Sequence, residues 1–491
     1  MKRIVIAAII AGLPGMALAD SNADAIAKLK AQLQALQTQL ETLQKTVDAQ
    51  AQQQPVLTPD DAQTMKEQLA NQQLKVDALQ QASTDGPLAG LSVTGYLDPT
   101  YIFNRNAGSS SFLFVNHSNA YTYDNSTFGD VYLDIKKTFG VGPTAPSAEI
   151  TIMPNRGNGS TLLSNSGGSV GNNIINTAQV NLPLSDSTSV MVGLVSGFGG
   201  YELQQSNQML TLTHGLLYDW SDPGSYVGAG VNWSHGNWAT KLLVGNEQNH
   251  TSGSTATTST GTKSNKTPTV TGRVDYTWSS AIDLGGSFNL GRQTLVTPIS
   301  SATGASACAT GSYGYQCSSS DPFSGYRFGE LDATYNLNDV ILNAELDYGQ
   351  QDRAAFNGGT ASWYGVSLLA HEKWNTELLG RMGATVRYDY LNNSKNGGGG
   401  GGILLSSSGV DGTDGFGVDP VCYANSASKG TECKGANHQA LTADLLFYPT
   451  DQLTIKFEYR HDWASQAVFV KSSGDYVKYN DLFGMQLVYS F

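Results

Sequence analysis

The sequence predicts a closed, all-β transmembrane barrel of about 16 antiparallel strands, preceded by an α-helical coiled-coil segment. Three observations support this fold class. From Leu91 onwards, apolar and polar residues alternate in short segments, which is the period of a β-strand. The connections between these segments are tight and long in turn. The last strand runs to the final residue with apolar side chains at alternate positions, which are Phe483, Met485, Leu487, Tyr489 and Phe491.

Residues 1–19 have the three parts of a secretory signal peptide. Two basic residues form a positive start, and the apolar run from Ile4 to Leu13 is too short to cross a bilayer. Small residues at 17–19 then give a cleavage pattern before Asp20. An N-terminal membrane anchor is the alternative, and the shortness of the apolar run argues against it.

Residues 20–82 carry a different pattern, in which apolar residues recur at intervals of three and four. This spacing is a heptad seam and predicts a periplasmic coiled coil, interrupted at Pro55 and Pro59. A narrow amphipathic helix has no partner within its own chain, so we expect it to self-associate. A helix lying on the main domain, or a disordered spacer, is the alternative. A Gly/Pro hinge at 83–90 leads to the predicted barrel at 91–491.

The composition separates this chain from most soluble domains and from nucleic-acid-binding proteins. It contains 55 Gly and 23 Tyr, and only 14% of its residues are charged, against about 25% in an average globular protein. The formal net charge is −13, and removal of Lys2 and Arg3 with the signal peptide leaves −15. Nucleic-acid binding favours a basic face, so we expect no nucleic-acid partner.

About 16 segments after the hinge have the strand period. They are 91–103, 127–138, 147–154, 174–182, 188–197, 226–234, 238–247, 268–278, 281–293, 326–336, 340–350, 361–372, 376–391, 439–448, 452–463 and 479–491. Tight links such as 337–339, 373–375 and 449–451 join them at one rim, and long loops such as 392–438 join them at the other. Short turns at one rim, long loops at the other and an even strand count are typical of outer-membrane barrels.

Strand 452–463 shows most clearly that each strand has two faces. Its apolar residues alternate with Thr454, Lys456, Glu458 and Arg460. A soluble antiparallel sheet also alternates, but here the polar faces carry both charge signs while aromatic residues gather at strand ends. A barrel of about 16–18 strands leaves a water-filled channel. The side chains predicted to line its wall are Arg273, Asp275, Arg381, Arg387, Asp389, Lys456, Glu458 and Arg460.

The four cysteines fall as two local pairs. In an oxidising compartment the spacing predicts a Cys308–Cys317 disulfide and a Cys422–Cys433 disulfide, because zinc sites need tighter spacing. The sequence contains no motif that predicts a cofactor, a metal ion or a catalytic residue.

Taken together, the signal peptide, the coiled coil, the hinge, the strand rhythm and the terminal Tyr489-Ser490-Phe491 resemble bacterial outer-membrane porins. The likeness is greatest to the OmpL-like group, which has an N-terminal periplasmic coiled coil. The resemblance implies an outer-membrane channel for passive diffusion of small polar solutes or ions, often a homotrimer embedded in outer-membrane lipid. The terminal Phe491 resembles the signal by which the barrel-assembly machinery recognises such chains.

In porins the third long loop commonly folds into the channel, and here that loop runs from about Phe198 to Ser225. It carries three acids, Glu202, Asp219 and Asp222, and neither Lys nor Arg. We therefore expect this loop to form a constriction, facing the wall cations Arg273, Arg381, Arg387, Lys456 and Arg460. The alternative for each of these residues is an ordinary solvated position in a local salt bridge.

Three other functions are compatible with parts of the sequence. An outer-membrane hydrolase would need an activated nucleophile, yet none of the seven histidines lies in a recognisable nucleophile motif such as GxSxG. Neighbours on a strand, such as His461 and Asp462, point to opposite faces. A structural protein that tethers the membrane through its coiled coil is the leading alternative. A large secreted β-protein, soluble without detergent, is the third.

Overall fold

The computed structural model of the chain describes residues 88–114, 129–153, 174–247, 255–258, 261–294, 323–357, 359–401, 403, 415–421 and 433–491. The predicted signal peptide, the predicted coiled coil and most of the hinge lie outside the described residues. By internal contacts the described chain divides into two units. Residues 88–92 and 136–141 belong to the first, in which the Thr138 amide donates to Gly90 O at 2.8 Å. Residues 93–135 and 142–491 belong to the second, which contains most of the barrel.

Twenty-two strands are present in the described residues. They are β1 Leu91–Leu97, β2 Thr100–Asn104, β3 Ser109–Leu113, β4 Val131–Thr138, β5 Ser147–Ile152, β6 Ile175–Pro183, β7 Thr188–Val195, β8 Tyr226–His235, β9 Trp238–Glu247, β10 Thr255–Thr258, β11 Gly261–Ser264, β12 Thr269–Ser279, β13 Ile282–Thr294, β14 Phe323–Leu337, β15 Val340–Gln351, β16 Ala361–Thr376, β17 Gly380–Asn392, β18 Asn437–Tyr448, β19 Leu453–Ala464, β20 Phe469–Val470, β21 Tyr476–Val477 and β22 Tyr479–Ser490. A short α-helix, Leu216–Trp220, and a 3-10 turn, Lys395–Gly397, complete the described elements.

Eighteen of these strands form one closed sheet with 16 barrel positions. Strands β1 and β2 are two parts of the first position, and β3 and β4 are two parts of the second, so that sequence neighbours pair antiparallel around the sheet. The last strand, β22, pairs with β19 on one side and with β1 and β2 on the other, which closes the barrel. The prediction of a closed antiparallel barrel is therefore confirmed.

Each of the 16 predicted segments corresponds to a barrel position, but some boundaries differ. The first segment is interrupted at Pro99, which has no amide hydrogen to donate to a ladder. The predicted turn at 373–375 is wrong, because β16 continues through these residues to Thr376. The chain reverses after Thr376 instead, where Gly380 takes a positive φ of 71° and the Leu379 amide donates to Thr376 Oγ1 at 3.0 Å.

Burial along β19 runs opposite to that of a soluble protein. The outward side chains Phe457 and Tyr459 are 43% and 40% exposed. The inward side chains Lys456, Glu458 and Arg460 are 1%, 5% and 0% exposed. Charged residues are almost never buried in soluble domains unless they are paired, whereas large apolar residues usually are. The same inversion recurs along β15, β17 and β18, so the apolar surface of the barrel faces outwards.

The C-terminal strand closes the barrel against the first strand. The backbone of Phe491 both donates to and accepts from Gly95, at 2.9 and 3.0 Å, and these bonds join the last strand to the first. The alternate residues of β22 are exposed, and its inward residues Gln486 and Val488 are buried.

Buried apolar side chains gather inside the barrel at its long-loop end. One cluster joins inward strand residues such as Tyr326 and Trp363 to connecting-segment residues such as Leu217, Trp220 and Phe416. The connections therefore bring apolar groups of their own into an otherwise polar interior. No helix among the described residues is long and apolar enough to cross a membrane.

Candidate functional site

The connection between β7 and β8, residues 196–225, makes hydrogen bonds with inward-facing side chains of many barrel strands. We call it loop 196–225. It contains the short helix Leu216–Trp220, and most of its residues from 206 to 222 are buried. Strands β17, β18 and β19 contact loop residues 202–214. Strands β12, β15 and β16 contact Phe198, Tyr201 and Ser221.

Arg387 of β17 holds this loop by three described bonds. Its guanidinium is fully buried and pairs with Asp389 at 2.9 Å on its own strand. Towards the loop it contacts Glu202 Oε1 at 2.9 Å, Thr211 Oγ1 at 2.7 Å and Thr213 O at 2.9 Å. Since hydrogen bonds with a charged partner are stronger than neutral ones, Arg387 is a principal anchor of the loop.

Glu458 of β19 holds the same stretch of loop from the neighbouring wall. Its Oε2 accepts the backbone amides of Leu212 and Thr213 at 2.7 and 2.9 Å, and its Oε1 accepts the Thr213 hydroxyl at 2.7 Å. Asp444 of β18 also accepts the Leu212 amide, at 3.0 Å. A carboxylate that takes several donors in this way fixes the backbone of the loop as well as its side chains.

Two wall cations on β19 satisfy carbonyl groups of the loop. Lys456 Nζ donates to Ser206 O and Thr211 O, both at 2.8 Å. Arg460 donates to His214 O at 2.8 Å and is itself paired with Asp462 at 3.1 Å. The polar backbone of the buried loop is therefore satisfied by charged wall residues, as buried backbone groups require.

The start of the loop contacts β12, β15 and β16. The Tyr201 amide donates to Glu345 Oε2 of β15 at 3.1 Å, and its hydroxyl bonds Ser367 Oγ of β16 at 2.8 Å. Arg273 of β12 donates to Phe198 O at 3.4 Å. Since the wall side chains that make these contacts point inwards, loop 196–225 lies inside the barrel.

Two inward glycines make room for apolar residues of the loop. A Cβ at Gly484 of β22 would lie 2.7 Å from Leu212 Cδ1, and one at Gly365 of β16 would lie 2.7 Å from Leu217 Cδ1. Heavy atoms do not pack at that distance, so a larger residue at either position would displace the loop side chain.

Four of the five cations expected to face the loop contact it, and the fifth does not lie among these contacts. Arg387, Lys456 and Arg460 anchor residues 202–214, and Arg273 contacts Phe198. Arg381 lies at the end of β17 and is exposed, and its guanidinium pairs with Asp451 of the adjacent short turn at 2.7 Å. Arg381 points to the same face of β17 as Arg387, because both occupy odd-numbered positions, but it lies at the rim of the barrel.

Many of the predicted wall charges are also paired with one another. Arg273 contacts Asp275 at 2.7 Å, Glu330 at 3.3 Å and Asp332 at 2.7 Å. Asp389 accepts the Ser367 hydroxyl at 2.6 Å in addition to its pair with Arg387. These are local ion pairs of the kind named as the alternative, although most of their members are buried and therefore little screened.

The three predicted loop acids have different surroundings. Glu202 pairs with Arg387, but its burial outweighs that pairing and raises its pKa to about 7. Asp219 is buried within the short helix. Asp222 lies beside two wall acids, Glu345 and Asp347.

His214 is a loop residue that becomes neutral through burial. Its Nε2 lies 3.1 Å from Leu203 O, and its ring stacks on Tyr218 with centroids 4.0 Å apart. Burial lowers its pKa to about 3, and the nearby cations Arg387, Lys456 and Arg460 act in the same direction. The neutral ring therefore belongs to the docked state of the loop.

Several residues of the site were not singled out from the sequence, notably Asp98, Glu345, Asp347 and Asp444. Asp98 accepts the Ser206 hydroxyl at 2.5 Å. Glu345 and Asp347 lie on the polar face of their strand, so strand parity marks them as inward. Parity does not show which inward residues meet the loop, since that depends on how the sheet closes.

Of the predicted disulfides, one cysteine can be placed. Cys433 is disulfide-bonded and 3% exposed, in a buried cluster with Phe356 and Val418. The other three cysteines lie outside the described residues.

A closed 16-position sheet with an apolar exterior, a charged interior and an inserted loop is a transmembrane β-barrel. The chain belongs to the family described as "Protein of unknown function (DUF3138)", whose model matches residues 1–56 and 50–491. No curated protein matches it.

Solved structures with a similar fold include several porins. An anion-selective porin from Comamonas acidovorans is 11% identical, with a TM-score of 0.47, over 82% of this chain and 99% of that one. Salmonella typhi OmpF in complex with daunomycin is 12% identical, with a TM-score of 0.45, over 82% of this chain and 97% of that one. OmpT of Vibrio cholerae, folded in vitro in its trimer form, is 10% identical, with a TM-score of 0.45, over 82% and 99%.

Proposed function

We propose that the chain is an outer-membrane porin, a passive channel and not an enzyme, which passes small polar solutes or ions. The inversion of burial carries this proposal. On β19 and β22, large apolar side chains such as Phe457 and Phe483 are 43% and 49% exposed, while Lys456 and Gln486 are 1% and 0% exposed. An exposed apolar band of this extent is costly in water and favourable in hydrocarbon.

The closed sheet supports the same environment. In the bilayer core every backbone amide and carbonyl must be paired within the protein, and closure between Gly95 and Phe491 leaves the barrel without a free edge at this seam. A 16-position barrel is wide enough for an aqueous interior. A soluble sandwich would instead bury its apolar faces between two sheets.

We propose loop 196–225 as the constriction of this channel. This proposal is supported by the contacts of the loop with Arg387 of β17, Glu458 of β19 and Glu345 of β15. The loop adds Glu202, Asp219 and Asp222 and no basic residue to the interior. Fixed negative charge raises the local concentration of cations, so we propose a preference for cations over anions.

The partners follow from the same proposal. Outer-membrane lipid covers the apolar exterior, and the barrel-assembly machinery recognises the C-terminal strand that ends at Phe491. The segment 20–82 lies in the periplasm and favours self-association, so we propose a homotrimer. Chemical cross-linking of the full-length protein in detergent tests whether the chain forms this homotrimer.

Single-channel recording in a planar lipid bilayer tests the proposed function. Full-length protein purified in detergent is added to one side of the bilayer, and conductance steps are measured in symmetrical salt. A salt gradient then gives the reversal potential, whose sign reports the preferred ion. Heat-denatured protein in the same detergent is the control.

We expect discrete steps from the native protein and none from the control, with a reversal potential of the cation-selective sign. Native protein that gives no steps, and that stays soluble when detergent is removed, would show that the apolar exterior does not face lipid. Steps with the opposite sign of reversal potential would keep the channel and contradict the ion preference.

A further inference from the structure

Three carboxylates from two separate elements meet inside the barrel. Asp222 belongs to loop 196–225, and Glu345 and Asp347 lie on the inward face of β15. One oxygen from each lies within 4.8 Å of the other two. Two oxygens bound to one Ca²⁺ at 2.3–2.6 Å are at most about 5 Å apart, so all three are close enough to share one such ion.

Unpaired oxygens within this group are a second and independent sign of a missing partner. The three side chains are 5%, 2% and 5% exposed in chain order. One oxygen of Asp222 and one of Glu345 have no hydrogen-bond donor in the part of the chain that the structure describes, and Asp347 has only the neutral Ser221 hydroxyl beside it. Since buried polar groups are nearly always satisfied, such oxygens at one point indicate a positive ligand.

Among the residues that the structure describes, the neighbouring groups offer the three acids no cation of their own. Arg273 acts on Asp222, but its guanidinium already contacts Asp275, Glu330 and Asp332. The hydroxyl of Ser221 lies beside Asp347, but it is neutral and its oxygen accepts the Trp363 indole N–H at 3.1 Å. Like charges held together without a counter-ion repel, and a divalent cation would reverse the sign of that interaction.

The backbone of the loop is shaped around the same carboxylates. A side chain at Gly199 would overlap the carboxylate of Asp222, and a side chain at Gly200 would overlap that of Glu345. Gly200 also has a positive φ of 30°. The pair of glycines therefore lets the loop pass directly over the acids while the Tyr201 amide donates to Glu345.

We propose that Asp222, Glu345 and Asp347 bind one hard divalent cation, Ca²⁺, which fastens loop 196–225 to β15. The donors are all carboxylate oxygens, which suit Ca²⁺ and Mg²⁺ and not the softer transition metals. Three buried carboxylates from two elements favour Ca²⁺, because Mg²⁺ keeps several waters and requires near-octahedral geometry. The proposed cation site is argued from contacts between the loop and the wall. Its test is Ca²⁺ binding and the test of the channel is conductance, so either proposal can fail without the other.

Calorimetric titration of the folded, full-length protein in detergent tests the site. The protein is first treated with EDTA and dialysed, and is then titrated with CaCl₂ or MgCl₂. We expect one equivalent of Ca²⁺ to bind, with Mg²⁺ binding more weakly. Asp347→Asn keeps the size of the side chain and removes one charge, and it should weaken Ca²⁺ binding about tenfold or more. Asp283→Asn, a half-buried wall acid outside the group, is the matched control and should bind as the parent does.

The unfolding temperature of Asp347→Asn relative to the parent distinguishes a cation ligand from a residue that only supports the fold. In EDTA, Asp347→Asn should unfold at the same temperature as the parent or higher, because it removes a repelling charge. In Ca²⁺ the order should reverse, because the ion stabilises only the parent.

Two results would overturn the proposal. One is the absence of Ca²⁺ binding to the folded parent protein, which would leave the acids to share protons instead. The other is Ca²⁺ binding that is equal in the parent, Asp347→Asn and Asp283→Asn, which would place the ion elsewhere on the protein.

Discussion

Arg387 offers the sharpest test of the idea that loop 196–225 narrows a channel. Replacing it with alanine removes three described contacts with the loop, to Glu202, Thr211 and Thr213. It also leaves Asp389 and Glu202 buried without their cation. Removing one partner of a buried ion pair costs about 3–5 kcal/mol, which is enough to shift a docked loop towards released conformations.

The same substitution changes the field along the channel. One unit charge about 4 Å from a passing ion contributes about 1 kcal/mol in water, which is about fivefold in relative permeability. Loss of a positive charge leaves the neighbouring acids uncompensated. Arg387→Ala should therefore shift the reversal potential towards cations by about that factor and raise the single-channel conductance.

Arg381→Ala is the matched control, since Arg381 lies on the same strand with the same parity but at the exposed rim. Its guanidinium is paired with Asp451 and is not among the described loop contacts. Both variants are recorded in planar bilayers under the same salt gradient. Equal conductance and equal reversal potential in the parent, Arg381→Ala and Arg387→Ala would show that the loop does not control the narrowest point.

Two further predictions concern the docking of the loop. Because the folded-state pKa of His214 is lowered to about 3, from about 6.5 when unfolded, its stabilising effect is complete above pH 6.5 and is lost as the pH falls towards 3. Between pH 7.5 and 5 the parent should lose about 2 kcal/mol more stability than His214→Gln, measured by thermal unfolding; an equal loss would contradict it. Gly484→Val should displace Leu212, lower the free energy of unfolding by about 1–3 kcal/mol and expose the loop to cleavage by chymotrypsin. Gly329→Val is the control and should do neither, because a Cβ at Gly329 meets nothing closer than 3.9 Å. Equal cleavage of the two variants would refute the packing argument.

Strand parity made much of the barrel predictable from the sequence. In β19 the period of two is unbroken from Leu453 to Arg460, because one face meets an apolar environment and the other a polar one. Turn chemistry is less regular. The sequence at 373–375 has polar residues suited to a turn, yet β16 continues through it, since Gly380 and Thr376 provide a better reversal three residues later.

Strand parity also separated the inward residues Arg387, Lys456 and Arg460 from their outward neighbours, but not from Arg381 at the rim. Position along the strand decides that difference, and it depends on the stagger of the closed sheet. The contacts between Asp222, Glu345 and Asp347 were not predictable for a similar reason. They join residues more than 100 positions apart, which only the path of the loop brings together.

What the sequence by itself determined is the alternation of each strand, the number of barrel positions and the outward direction of the apolar side chains. These are local properties, since the backbone period sets them residue by residue. What only the tertiary structure decided is which inward charges meet across the interior, and where loop 196–225 lies. Those contacts depend on the closure and stagger of the whole sheet, and no stretch of neighbouring residues contains that information.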